Sequence, residues 1–224
     1  DGSVRVWNAA TGHTVGVGQS HAKSRAYLAR SGDGRWLFGS AGGSVCVTDA
    51  RTGQTAWLGD GHTDRVECAA FSADGRWVVS GSRDDTVRVW DTGSGRTVSV
   101  IRAHCHWPVC VTFSLDRLLV ASGGKDHTIR VWRAETGQVV SVGRGHSGSV
   151  RVVAFSPDRQ LLVSFGDDGM LRVWEASSGQ TVSVAHGHAV DARRFRNYAF
   201  SAAFGPDGRL VASGGMDRTA RIWD

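Results

Sequence analysis

Residues 87–91, Val87-Arg88-Val89-Trp90-Asp91, return 42 residues later as Ile129-Arg130-Val131-Trp132-Arg133 and again as Leu171-Arg172-Val173-Trp174-Glu175. A further copy is Ala220-Arg221-Ile222-Trp223-Asp224, an earlier one is Val4-Arg5-Val6-Trp7-Asn8, and a degraded one, Val45-Cys46-Val47-Thr48-Asp49, lies between. Intervals between successive Trp positions are 41, 42, 42, 42 and 49 residues, so the first lacks one residue and the last carries an insertion of seven. A period sustained over the whole chain means that one supersecondary unit, unable to bury its apolar face alone, is stacked several times.

Within each repeat the apolar residues alternate and β-branched residues are common, the pattern of short half-buried strands. Turn chemistry punctuates them. Asp33-Gly34, Asp74-Gly75 and Asp207-Gly208 join the first two strands of a repeat, and Thr-Gly or Ser-Gly pairs at 11–12, 52–53, 94–95, 136–137 and 178–179 join the last two. No stretch sustains a helical period. Four strands in about 42 residues is the signature of a blade in a radial all-β propeller, where repetition protects short sheet edges. The predicted organisation is a single propeller domain over 1–224: a partial first blade at 1–20, a degenerate repeat at 21–61, and full repeats at 62–103, 104–145 and 146–187. The last repeat, 188–224, carries the insertion and lacks its fourth strand. Seven blades of this length would need about 294 residues. The chain therefore reads as a fragment of a longer, up to seven-bladed ring showing five to six repeats; the alternatives are a five-bladed closure with one surplus strand, or closure through self-association with a second copy.

Composition narrows the function classes. Of 224 residues 41% are hydrophobic, and 30 glycines stand against three prolines, which excludes collagen and mucin compositions. No apolar run approaches the 18 or so residues of a membrane-spanning helix, and residues 1–25 lack a basic stretch followed by an apolar core. The four cysteines, Cys46, Cys68, Cys105 and Cys110, form no dense framework, so they are expected to be free thiols in a reducing compartment, the cytoplasm being the expected setting. A formal charge of +5 serves an acidic partner only if it clusters.

A four-residue set recurs with the strand motif. Gly61-His62, Ala103-His104, Gly145-His146 and Gly187-His188 precede the first strand; Ser80, Ser122, Ser164 and Ser213 lie ten residues before Trp90, Trp132, Trp174 and Trp223; Asp84, Asp126, Asp168 and Asp217 lie six before them. On these residues the chain resembles the WD-repeat (WD40) β-propellers over essentially its whole length. Histidine, serine and aspartate together raise the idea of a nucleophilic triad. The chemistry argues otherwise: a buried indole N–H needs an acceptor, a Ser hydroxyl supplies it and donates to one His nitrogen, and the other nitrogen donates to the carboxylate. A serine fixed in that way is not free to attack, and an enzyme needs one site rather than four. The second repeat departs from the pattern, with His21 present but Gly39, Gly42 and Thr48 at the Ser, Asp and Trp positions, and Arg30 where Phe71, Phe113, Phe155 and Phe204 stand elsewhere.

The resemblance implies a non-catalytic scaffold whose loops on one face bind other proteins or peptides, without cofactor, metal or membrane. On that face the residues preceding the recurring Asp are Arg83, Lys125, Asp167 and Met216, and those before the first strands include Arg65, Trp107 and Ser149. Unlike residues at equivalent positions are not dictated by the scaffold, and Trp107 is the sharpest candidate anchor, since exposed Trp and Arg dominate interface energetics. Its competing reading is a ring folded over the neighbouring loop. The insertion adds Arg193, Arg194 and Arg196 interleaved with Phe195 and Tyr198, suited either to an acidic peptide or phosphate or to a solvated loop. Two other function classes stay open: the regulatory region of a larger signalling NTPase or kinase, and a nucleic-acid platform. The second is disfavoured, because Arg5, Arg88, Arg130, Arg172 and Arg221 are spread around the ring rather than along a stripe. A zinc site from Cys105, His106 and Cys110 is disfavoured too, since no second Cys pair accompanies it.

Overall fold

The computed structural model describes residues 3–7, 14–19, 28–188, 199–215 and 217–224. Every regular element among them is a strand. A two-stranded sheet, β1 (Ser3–Trp7) and β2 (Thr14–Gln19), is followed by four sheets of four strands. These are β3 (Leu28–Arg30), β4 (Trp36–Ala41), β5 (Ser44–Asp49) and β6 (Thr55–Gly59); β7 (Val66–Phe71), β8 (Trp77–Ser82), β9 (Thr86–Asp91) and β10 (Thr97–Arg102); β11 (Pro108–Phe113), β12 (Leu119–Gly124), β13 (Thr128–Arg133) and β14 (Val139–Arg144); and β15 (Val150–Phe155), β16 (Leu161–Gly166), β17 (Met170–Glu175) and β18 (Thr181–His186). The last sheet has three strands, β19 (Ala199–Phe204), β20 (Val211–Gly215) and β21 (Ala220–Trp223). Each sheet is an antiparallel meander in chain order, and the first strands β3, β7, β11, β15 and β19 pack successively side by side. That is the radial arrangement of a propeller, with those strands innermost.

The core lies between successive sheets. Val79, Val87, Val89 and Ile101 of one sheet enclose Trp132 of the next, which is 2% exposed; Phe38, Val45 and Val47 enclose Trp90 in the same way. Trp90, Trp132 and Trp174 are thus wedges driven against the preceding sheet. A second fastener repeats across the same boundaries. The Ser99 hydroxyl donates to the Ala134 carbonyl at 2.6 Å and Ser141 to that of Ala176 at 2.7 Å. In the second sheet Trp57 takes over, its indole N–H reaching the Thr92 carbonyl at 2.6 Å while its ring lies 6.0 Å from that of Trp90.

The turns explain both the repeat and its irregularities. The Asp-Gly turns put Gly34, Gly75 and Gly208 in the left-handed region, at φ +74°, +67° and +72°. Two sheets do without the glycine: Arg117 and Arg159 adopt φ +61° and +59°. A non-Gly residue there is strained by about 1 kcal/mol. Each arginine gains a partner in the previous sheet, Arg117 pairing with Asp74 at 3.0 Å and Arg159 with Asp116. The degenerate repeat also has a shorter central hairpin. Its β4–β5 pairing runs through Ser40 opposite Val45 to Ala41 opposite Ser44, and the loop beyond Ser40–Val45 is one residue shorter than that beyond the equivalent Gly81–Val87 pair of the next sheet. Gly39 stands opposite Cys46 at the register where the other sheets pair Ser with Arg.

Candidate interaction face

Four hydrogen-bonded chains underlie one end of the ring. In the third sheet Trp90 Nε1 donates to Ser80 Oγ at 2.9 Å, Ser80 Oγ lies 2.8 Å from His62 Nε2, and His62 Nδ1 lies 2.9 Å from Asp84 Oδ2. Trp132–Ser122–His104–Asp126 repeats this at 3.0, 2.8 and 2.9 Å, Trp174–Ser164–His146–Asp168 at 2.7, 2.7 and 2.9 Å, and Trp223–Ser213–His188–Asp217 at 2.9, 2.9 and 2.8 Å. One tautomer satisfies every atom: Nδ1–H donates to the carboxylate, and Nε2 accepts from the Ser hydroxyl, which accepts from the indole. Burial holds His62 below the ordinary histidine range, against the opposing pull of Asp84. Burial also works against the Asp84 carboxylate, but the Thr86 hydroxyl and amide, the Thr63 amide and His62 outweigh it and keep the group below the usual carboxylate range.

The sequence reading missed one member of these chains. Thr86, Thr128 and Thr219 donate their hydroxyls to the tetrad Asp at 2.6, 2.8 and 2.7 Å; they stand four residues before each Trp, a spacing legible in the repeat. The third position in this series is Met170. The Ser hydroxyls are 0–4% exposed and bonded on both sides, so none is presented to a substrate.

The tetrads fix the turns that carry the candidate residues. Three equivalent main-chain bonds tie the two series together: Arg83 N–H to the Arg65 carbonyl at 2.9 Å, Lys125 to Trp107 at 3.1 Å, and Asp167 to Ser149 at 2.8 Å. The side chains then converge across a sheet boundary. The Arg83 guanidinium lies 4.1 Å from the Trp107 ring centroid and the Lys125 ammonium 3.9 Å from it, so the half-buried indole takes one cation from each of two neighbouring turns. Arg83 also donates to Glu67, whose carboxylate lies 3.6 Å from Arg65 Nε. In the next sector Arg151 and Asp167 close a two-point ion pair at 2.8 and 2.6 Å. Arg65, Arg83, Trp107 and Lys125 therefore form one cluster, and Asp167 belongs to a separate pair. Glu67 and Arg151 escaped the sequence reading; both are the second residue of an innermost strand, 84 positions apart, a register the period would have exposed. Arg193, Arg194, Arg196 and Met216 lie outside the described residues.

The other candidate chemistries find little support in geometry. Arg88, Arg130, Arg172 and Arg221 each lie 5.8–6.0 Å from the Trp ring two residues along their own strand, as part of the tetrad wall. Burial raises the Cys46 and Cys68 thiols and pushes Cys110 up to about 12, so all three stay protonated at neutral pH. Cys110 Sγ is turned toward the Gly123 and Val150 carbonyls, at 3.8 and 3.6 Å, while Cys105 and His106 are exposed. Among the described residues no three His, Cys, Asp or Glu side chains are grouped to hold a metal.

Comparison with known proteins agrees with this architecture. The computationally designed Ika8 protein is similar in structure, with a TM-score of 0.84 and 29% sequence identity; the match covers all of this chain and 65% of that one. The chain thus spans a little under two thirds of that protein. No curated protein sequence matches. The family model "WD domain, G-beta repeat" matches residues 54–91, 95–133, 137–175 and 179–224, well over half of the chain. With the repeated tetrads and the radial sheets, this places the chain in the WD40-repeat family of β-propellers.

Proposed function

We propose that this propeller is a non-catalytic protein-interaction scaffold, and that its working surface is the face carrying Arg65, Arg83, Trp107 and Lys125. One observation carries the reading: at positions where the scaffold dictates nothing, the chain places an indole between two cations from different sheets. The tetrads that could suggest hydrolysis have their serines engaged by Trp and His. Against a nucleic-acid platform stands the spread of the recurring arginines, one per sheet beside its own Trp ring, which gives separated charges rather than a stripe along a backbone. A cytoplasmic setting belongs to the same proposal, on the reading of the four cysteines as free thiols.

Differential capture tests it. Proteins retained from a cell lysate by the immobilised wild-type chain are compared quantitatively with those retained by Trp107→Ala and by Gln160→Ala, the latter an exposed position in a β15–β16 turn at the other end of the strands. The proposal expects a set of proteins lost with Trp107→Ala and kept with Gln160→Ala. Identical capture by all three removes the face from consideration.

A further inference from the structure

We infer that the Trp107 cluster is a preorganised seat for an acidic peptide segment, a deepening that rests on the function proposed above. The argument is one of charge balance. Arg65, Arg83 and Lys125 bring three positive charges to the cluster and Glu67 one negative charge, shared between the two arginines. Lys125 has no carboxylate partner among the described residues; its ammonium is held by the indole. The distinction matters, because an ion pair neutralises a cation whereas a π face positions it and leaves its charge in place. In the neighbouring sector Arg151 is ion-paired with Asp167 instead.

Positioning is the second half of the argument. Long cationic side chains ordinarily lose considerable rotamer freedom when they bind a ligand. Here Arg83 is restrained by both Trp107 and Glu67, and Lys125 by Trp107, before any ligand arrives. The half-buried indole offers apolar surface beside the charges, which suits a peptide with an apolar residue next to its carboxylates. A nucleic-acid backbone fits less well: three cations gathered about one half-buried indole make a compact patch rather than a stripe that tracks a line of phosphates.

The test is selection of random dodecapeptides displayed on phage against the full chain, its Arg83→Gln/Lys125→Gln variant, and Lys125→Met, which keeps the aliphatic stem on Trp107 should the double variant fold poorly. The inference expects wild-type binders enriched in Asp and Glu at two or more positions. It also expects enrichment to fall in both variants, and the best peptide, titrated by fluorescence polarisation, to bind the double variant about tenfold or more weakly. Absence of binders, binders without acidic enrichment, or equal enrichment on all three proteins overturns it. So does a 20-nucleotide single-stranded DNA that binds the wild type more tightly than the best peptide and is lost with the same variants. If lysate capture depends on Trp107 while the selected peptides show no acidic preference, the inference falls and the scaffold reading stands; if neither holds, both fall.

Discussion

Replacing Ser80 by Ala removes one oxygen and orphans two buried groups. Among the described residues Ser80 Oγ is the one partner of the Trp90 indole N–H, at 2.9 Å, and of His62 Nε2, at 2.8 Å, and Ser80, Trp90 and His62 are 0%, 1% and 7% exposed. A buried polar group deprived of its partner costs about 1–3 kcal/mol, so the variant with two of them should lose about 2–6 kcal/mol. In a domain of this length each kcal/mol lowers the melting temperature by about 2–4 °C, giving a drop of about 4–24 °C. Ser213→Ala removes the same chemistry where Trp223 is only half-buried, so water can take the indole N–H while the buried His188 Nε2 still loses its partner, and the loss should be about 1–3 kcal/mol, smaller than at Ser80. Urea titration followed by tryptophan fluorescence, with a thermal melt by circular dichroism, measures both. Equal losses in the two variants, or a Ser80→Ala protein as stable as wild type, would refute the account of the tetrad as a buried satisfaction network.

Three further outcomes follow from the same geometry. Asp126 is raised by burial but lowered more strongly by His104 and Thr128, ending below the usual carboxylate range; a depressed folded value means stability that is present above about pH 4 and lost as pH falls through it. Asp126→Asn should therefore be less stable at pH 7 and show a flatter loss between pH 4 and 2, and parallel pH–stability curves for the two proteins would contradict this. Gly124→Ala sets a methyl 2.5 Å from His104 Nδ1 and should cost about 1–3 kcal/mol, whereas Gly214→Ala meets only Ser201 Oγ at 3.6 Å and should be close to neutral in the same urea titration. Trp57→Phe keeps a ring beside Trp90 but loses the bond to the Thr92 carbonyl, for about 1 kcal/mol, while Trp57→Ala should cost about 3–5 kcal/mol; similar melting temperatures for the two would show that the indole is not the fastener of that boundary.

Much of the fold was legible because the period is carried by residues whose physics is local. Val87-Arg88-Val89-Trp90 alternates faces as a strand must, and Gly53, Gly95, Gly137 and Gly179 sit where the last turn of each repeat needs a left-handed residue, at φ +69° to +72°. What escaped the sequence lies between repeats. Arg117 and Arg159 occupy a glycine position because each reaches an Asp in the sheet before it, a compensation set by how the sheets are rotated against each other. The convergence of Arg83 and Lys125 on Trp107 has the same origin: all three residues were singled out by their unlike character at equivalent positions, but only the packing of successive sheets brings them onto one ring. Glu67 was missed because it lies inside a strand rather than in a loop, although its side chain faces the same cluster.

The claim that this face binds a partner is tested most directly by hydrogen exchange on the wild-type chain with and without its best selected acidic peptide. The account predicts new protection at Arg83–Asp85, at Trp107 and at Lys125, with no change in the turns holding Asp74, Arg117 and Arg159. Protection confined to those latter turns, or none at the Trp107 cluster with peptide saturating, would contradict it.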